Sequence, residues 1–271
     1  IPAGAPSSRA LPARFHARGE LRGRVALFTG CVMRAVFAGT NGATARVLAR
    51  NGVDVLVPQR QTCCGALHAH AGEREAARAL ARENIAALEA LDVDAFIVNA
   101  AGCGASLKEY GWLLKDDPAW RERAERFGAR VRDASEYLAS LGLAEAPGAL
   151  PSRAAYDDPC HLLHGQRIGE QPRALLAAIP RLELVPLAEA DWCCGSAGTY
   201  NVTEPELSRQ LLHRKLEHVG RSGAEIVVTA NPGCQMQLAA GLRRSGSSVE
   251  VVHIFDLLDR AYGEGTAGAD R

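Results

Sequence analysis

The chain has 271 residues, 47% hydrophobic and 23% charged, enough for one large or two small globular domains with cores of their own. Its 31 Lys plus Arg balance 31 Asp plus Glu to a formal net charge of zero, so the basic footprint of a nucleic-acid binder is missing and no nucleic-acid partner is expected. No apolar run reaches the ~20 residues of a membrane span, so none is expected.

Residues 1–21 have the composition of a linker. Ile1-Pro2-Ala3-Gly4-Ala5-Pro6-Ser7-Ser8 has neither an initiator Met nor the charged-then-apolar order of a signal peptide. The expectation is a linker that follows a missing N-terminal segment. Residues 22–150 form the first expected repeat. A short apolar run at 24–29 closes on Gly30-Cys31. Thr44, Val47 and Leu48 have helical spacing, with Gly52 as the stop signal. A second run at 54–58 leads through a loop to Cys63-Cys64-Gly65. Ala77, Leu80, Ala81, Asn84, Ile85 and Leu88 then mark one buried helical stripe, and a third run at 95–99 ends at Gly102-Cys103.

Residues 151–262 repeat this order. Runs at 154–157, 182–186 and 225–229 lead to Cys160, to Cys193-Cys194 and to Cys234. Between the last two, Leu207, Leu211, Leu212, Lys215 and Val219 recur at helical spacing. Residues 263–271 are expected to be a disordered tail. Strands alternating with helices predict an α/β fold of two pseudo-symmetric repeats. Each has a short, mainly parallel sheet flanked by helices, with cysteines at the strand C-terminal ends.

The cysteine spacing supports the duplication directly. Both repeats run single, doublet, single, and corresponding cysteines lie 129, 130, 130 and 131 residues apart. The flanks agree: Cys63-Cys64-Gly65-Ala66 matches Cys193-Cys194-Gly195-Ser196, and Gly102-Cys103 matches Gly233-Cys234. A unit of about 130 residues is too long for a solenoid repeat and implies two domains. A disulfide framework is disfavoured by the chain's size and the absence of an export signal, so a reducing, cytoplasmic setting is expected.

The candidate metal ligands are Cys31, Cys63, Cys64, Cys103, Cys160, Cys193, Cys194 and Cys234. Four thiolates suit an iron–sulfur cluster or a structural zinc. Zinc more often uses short Cys-x-x-Cys knuckles, and the side chains of adjacent cysteines diverge, which favours a multi-iron body. Gly65 and Gly195 are candidate supporting residues, where the backbone must turn sharply beside a bulky ligand. Helix N-termini following the cysteines would aim N–H groups at the sulfurs. His161 and His164 follow Cys160 and are candidates to tune a cluster or relay protons, with a structural role as the alternative. For His68 and His70 the structural role is preferred. Asp157 and Asp158 are expected to shape a loop, and Trp112, Trp120 and Trp192 to pack. No dinucleotide, P-loop or nucleophile-elbow motif is evident.

The pattern Cys31…Cys63-Cys64-Gly65…Cys103, repeated as Cys160…Cys193-Cys194-Gly195…Cys234, resembles the duplicated cysteine-rich CCG domain. That domain occurs in heterodisulfide reductases, in lactate-utilisation iron–sulfur proteins and in the glycolate oxidase iron–sulfur subunit. Local stretches are most similar to the C-terminal region of the last: Thr29-Gly30-Cys31-Val32-Met33-Arg34, His70-Ala71-Gly72, Asn99-Ala100-Ala101-Gly102-Cys103-Gly104, Cys160-His161-Leu162 and Asn231-Pro232-Gly233-Cys234. The resemblance spans about residues 22–260 and implies one or two 4Fe-4S clusters, with zinc in one repeat as the alternative. It implies an electron-transfer subunit that is not catalytic alone and works with FAD-containing flavoprotein subunits of a 2-hydroxy acid oxidase. It also implies a ferredoxin-like domain or subunit, and a cytoplasmic location with peripheral attachment to the inner membrane face left open. Two departures stand out. Ser106 and Gln237 occupy the positions where the heterodisulfide reductase type carries a further Cys, and no ferredoxin-like cysteine run is present.

Overall fold

The computed structural model describes residues 11–263. The expected linker up to residue 10 and the expected tail from residue 264 lie outside the described residues. The chain divides into two compact units between Glu145 and Ala146, five residues before the expected boundary.

The first unit is built on a five-stranded sheet in the order β1-β3-β2-β4-β5. Its strands are β1 (Arg14–Phe15), β2 (Gly23–Phe28), β3 (Val53–Leu56), β4 (Ala95–Val98) and β5 (Val131–Asp133). β2, β3, β4 and β5 are parallel neighbours, and β1 pairs antiparallel with the outer edge of β3. Val25, Ala26, Leu27 and Phe28 are each at most 2% exposed. A parallel sheet covered on both faces demands such continuous apolar strands. Its crossovers carry the helices Ala38–Arg50 and Arg74–Leu88. Gly52, at φ +83°, follows the first of these, and a Cβ there would lie 2.4 Å from the Glu20 carbonyl. The stop signal is therefore both conformational and steric.

The second unit repeats the scheme with β6 (Ser152–Tyr156), β7 (Leu182–Leu184), β8 (Ile226–Thr229) and β9 (Glu250–His253), all parallel, in the order β7-β6-β8-β9. β6 thus takes the place of β2, β7 of β3, β8 of β4 and β9 of β5. The strand order turns back at β2 and at β6, which are the topological switch points where ligands gather in open α/β sheets.

Three strands were not evident from sequence pattern. β1 and β5 have two and three residues, too few to show a period. β1 also falls inside the stretch expected to be linker. It is held there by Arg14, whose Nε donates to Asp54 Oδ1 at 2.9 Å. β9 reads Glu250-Val251-Val252-His253 without alternation, and only its last two residues are buried. The helix Pro205–Ser222 buries Ser208, Leu212, Lys215 and Val219, whereas Leu207 is 49% exposed. Leu212, Lys215 and Val219 of the expected stripe are thus buried, and only at its N-terminal end does Ser208 take the place of Leu207. Trp112, expected to pack, is 57% exposed.

One cap has a pH consequence. Asp133 starts the helix Ala134–Leu141 in a capping box with Glu136, and its Oδ1 accepts from Ser135 N at 2.8 Å. Burial raises its pKa to about 6, against the lowering pull of the Ser135 hydrogen bonds. Between the ordinary carboxylate range and about 6 the folded chain holds a proton that the unfolded chain has lost. Stability from this group is therefore present at low pH and declines as pH rises through about 6. D133N keeps the cap acceptor without the charge. It should stabilise the first unit above that pH and flatten this part of the pH–stability curve, as measured by urea denaturation.

Candidate metal centre

All eight cysteines carry free thiols, and each quartet gathers at the carboxyl ends of three adjacent strands. Cys31 follows β2, Cys63 and Cys64 follow β3, and Cys103 follows β4. Cys160, the Cys193-Cys194 doublet and Cys234 stand in the same relation to β6, β7 and β8. Cys103 and Cys234 each lie in the first turn of a helix, Ala101–Lys108 and Pro232–Arg244. Cys31 and Cys160 immediately precede helical turns at Val32–Val36 and His161–Gly165, the latter a single π-helical turn. The doublets differ. Gly65 leads straight into the helix Ala66–His70, whereas no helix follows Gly195 until Tyr200. The expected helix N-terminus is thus missing at the second doublet.

In both units each sulfur meets the next in sequence, and this chain of successive contacts is the row. Cys31 Sγ is 3.4 Å from Cys63 Sγ, and Cys64 Sγ is 3.3 Å from Cys103 Sγ. Hydrogen bonding between Cys63 and Cys64 joins the two pairs. The second row runs from Cys160 to Cys193, Cys194 and Cys234 through the same neighbour contacts. Cys64, Cys194 and Cys234 are buried at 3–5% exposure, and the other five are half-buried. Among the described residues, no three His, Cys, Asp or Glu side chains converge to grip a single ion.

The thiols resist ionising together. The hydrogen bond to Cys63 and then burial raise the Cys31 pKa, and the bond to Cys103 raises that of Cys64. In the second row the bonds to Cys193 raise Cys160 and Cys194. Cys193 moves the other way. Its sulfur accepts from Cys160 and Cys194, with smaller help from the Gly195 N–H and the Lys215 charge. Four thiolates at this spacing repel one another, so full ionisation needs a compensating body of high positive charge.

The two expected glycines are in place. Gly65 has φ +82° and donates its N–H to Cys63 Sγ at 3.4 Å. Gly195 has φ +85° and donates to Cys193 Sγ at 3.3 Å. The left-handed conformation turns the N–H back onto the sulfur two residues earlier, which an L residue adopts only at a cost. His161 Nδ1 lies 3.6 Å from Cys160 Sγ, while His164 is exposed, as are His68 and His70. Trp192 is half-buried, with the Arg214 guanidinium 3.9 Å from its ring centre.

Beneath the first row lies a floor of neutral amides. Gln61 Nε2 donates to the carbonyls of Leu27 and Pro58 at 3.1 and 2.8 Å, and its Oε1 accepts from Thr29 N. Asn84 Oδ1 accepts from Thr62 N at 2.9 Å, and its Nδ2 donates to Cys63 O at 2.9 Å and to Tyr110 Oη at 3.1 Å. Tyr110 Oη in turn donates to Cys64 O at 2.9 Å. These bonds fix the backbone of the doublet. N84A leaves the part-buried Thr62 N and Cys63 O without this partner and removes one bond from Tyr110, and should cost roughly 2–3 kcal/mol of stability in urea unfolding.

Beneath the second row the corresponding groups are charged. Lys215, fully buried, places Nζ 2.9 Å from Asp157 Oδ1 and donates to the carbonyls of Glu189 and Ala190 at 3.0 and 2.8 Å. Asp157, expected only to shape a loop, is buried with it, and its Oδ2 accepts from Thr229 Oγ1 at 3.0 Å. The signal for Asn84 and Lys215 is present in the sequence: both are polar residues on an otherwise apolar helical stripe.

These paired sulfur rows at the switch points of duplicated parallel sheets define a class of cysteine-rich α/β protein. The cysteine-rich domain family, CCG, matches residues 25–108 and again 154–239, and the chain belongs to that family. It is 46% identical, over 92% of its length, to the probable glycolate oxidase iron-sulfur subunit of Bacillus subtilis, and 37% identical over 88% to the glycolate oxidase iron-sulfur subunit of Escherichia coli. The chain spans 57% and 58% of those two relatives. It is also 33% identical, over 87% of its length, to lactate utilization protein A of Shouchella clausii, and covers 98% of that protein. A crystal structure of a hypothetical protein from Helicobacter pylori shares the fold, with a TM-score of 0.64 at 14% identity over 93% of this chain and 51% of that one. Among the described residues no helix is long and apolar enough to cross a membrane.

Proposed function

We propose that this chain is an iron–sulfur electron-transfer component of a flavin-dependent 2-hydroxy acid oxidising system. It accepts electrons from an FAD-containing flavoprotein partner and passes them to an acceptor, with a ferredoxin-like domain or subunit completing the path. The single observation that carries the reading is the row of four cysteine sulfurs, present twice on the same three-strand frame. The names of the relatives, glycolate oxidase iron-sulfur subunit and lactate utilization protein A, supply the substrate class.

The donor set fits such a group. A set of four thiols that includes an adjacent pair, whose side chains diverge, suits a multi-iron body better than a single zinc ion. A bound 4Fe-4S cluster in each unit would supply one-electron storage. The chain's own part is to ligate with its eight cysteines, to shield one side of each row through buried Cys64, Cys194 and Cys234, and to set potential through N–H bonds to sulfur. Gly65 and Gly195 already aim such bonds. The positions without a fifth cysteine have other work. Ser106 Oγ donates to Cys64 O at 3.4 Å, and Gln237 Nε2 donates to Ser208 Oγ at 3.0 Å. That argues for ordinary electron carriage over disulfide-cleaving chemistry.

The test is metal and sulfide analysis of anaerobically purified protein, followed by mixing with the flavoprotein and either glycolate or lactate. Iron with matching sulfide is expected, and one of the two acids should bleach the visible cluster absorption. Zinc without iron would overturn the reading.

A further inference from the structure

The two rows share their ligands but not their floors, and the difference lies at one structurally equivalent position. A Cβ on Gly65 would touch Ala77, and a Cβ on Gly195 would touch Ser208. These contacts align the helices Arg74–Leu88 and Pro205–Ser222. Seven residues, two helical turns, beyond each contact lie Asn84 and Lys215. Both are fully buried, and both bind backbone carbonyls of the loop that carries the doublet. One is a neutral amide and the other an ammonium.

Lys215 is held without freedom. Its ammonium donates to the carbonyls of Glu189 and Ala190 and forms an ion pair with Asp157 Oδ1 at 2.9 Å. Ala190 lies three residues before Cys193, and Asp157 three before Cys160. The same loop is clamped a second time at Glu189, a non-glycine residue with φ +51°, whose carboxylate accepts from Arg214 Nε at 2.7 Å. A buried ion pair adds little stability over apolar residues of similar volume. What it adds is a fixed, water-excluded pair of charges, with Asp157 directly after β6 and Lys215 bound to the loop that leads to the doublet. The first unit's floor, built from Gln61, Asn84 and Tyr110, carries no such charge.

We infer that Lys215 is an electrostatic positioning residue for the second centre, raising its reduction potential and making the two centres of the chain unequal. The inference rests on the cluster reading above. Adding an electron makes a thiolate-ligated cluster more negative, and a nearby cation in a low-dielectric setting favours that state. Asp157 offsets part of this field, so the two residues predict shifts of opposite sign.

The experiment is a redox titration of the full chain followed by electron paramagnetic resonance. C63S and C193S assign the two signals, each removing one. K215Q withdraws the cation and leaves Asp157, so the second signal should become harder to reduce while the first stays put. D157N leaves the cation unopposed, so the second signal should become easier to reduce. A structural disturbance alone would not reverse sign between the two. If K215Q fails to load its second centre, D157N decides by the sign of its shift. No shift, shifts of the same sign, or equal movement of both signals would overturn the inference. Iron analysis of the unaltered chain separates this from failure of the cluster reading: without iron the cluster reading falls and the inference falls with it, whereas iron with unmoved potentials refutes the inference alone.

Discussion

C194S should remove about half of the iron and sulfide bound per chain, and C64S should remove the other half, because each eliminates one ligand of one of two equivalent four-cysteine sets. The expectation is sharpest for these two residues. They are the buried members of their doublets, at 3% and 4% exposure, and each touches two other sulfurs of its row. Ser offers an alcohol that does not ionise near neutral pH, so it is a poor replacement for the thiolate that each site loses. C64S/C194S should lose nearly all iron and show no visible absorption to bleach. Inductively coupled plasma analysis with a sulfide assay reads this directly. Unchanged iron in either single variant would remove that quartet from the ligand assignment.

The second large effect is expected at Gly195. G195A forces an L residue to φ +85° and drives its Cβ to 2.4 Å from the Ser208 carbonyl. That carbonyl belongs to the helix Pro205–Ser222, whose Ser208 Oγ also donates to Gly195 O at 2.7 Å. The backbone cannot yield without moving the helix that carries Lys215. Left-handed strain and overpacking together should cost roughly 2–4 kcal/mol. The move would also withdraw the Gly195 N–H from Cys193 Sγ. G65A has the same strain, but its nearest contacts are 3.3 Å, to the Ala77 Cα and carbonyl oxygen. It should lose only about 1–2 kcal/mol. The order of the two, read from urea midpoints, tests whether the close approach adds to the strain. Equal losses would show that conformation alone accounts for the effect.

Much of the site is legible in the sequence. Cysteine is scarce and chemically specific, so four matched offsets carry strong information, and the apolar runs before each cysteine marked the cysteine-bearing strands β2, β3, β4, β6, β7 and β8. The strands that carry no cysteine, β1, β5 and β9, were not legible. β1 and β5 are too short for a pattern, and their pairing is decided by a neighbouring strand. On the helix Pro205–Ser222 the stripe holds at Leu212, Lys215 and Val219, but at its start Ser208 is buried in place of Leu207. Five residues at three-four spacing define a stripe about as wide as the ambiguity, and the close approach of Ser208 to Gly195 chooses the buried side.

The sequence by itself determined that the chain is a duplicated α/β unit with two sets of four thiols, because spacing and residue type survive in one dimension. Only the tertiary structure decided that the sulfurs form rows, since the strand order that brings Cys31, Cys63-Cys64 and Cys103 together is a property of sheet topology. It alone also showed that Asn84 and Lys215 occupy one equivalent place beneath the two rows. That equivalence depends on which helical turn packs against each CCG loop, a contact between segments well separated in sequence. The consequence for the duplicated unit is electrostatic: the same ligands stand over a neutral floor in one half and a charged one in the other.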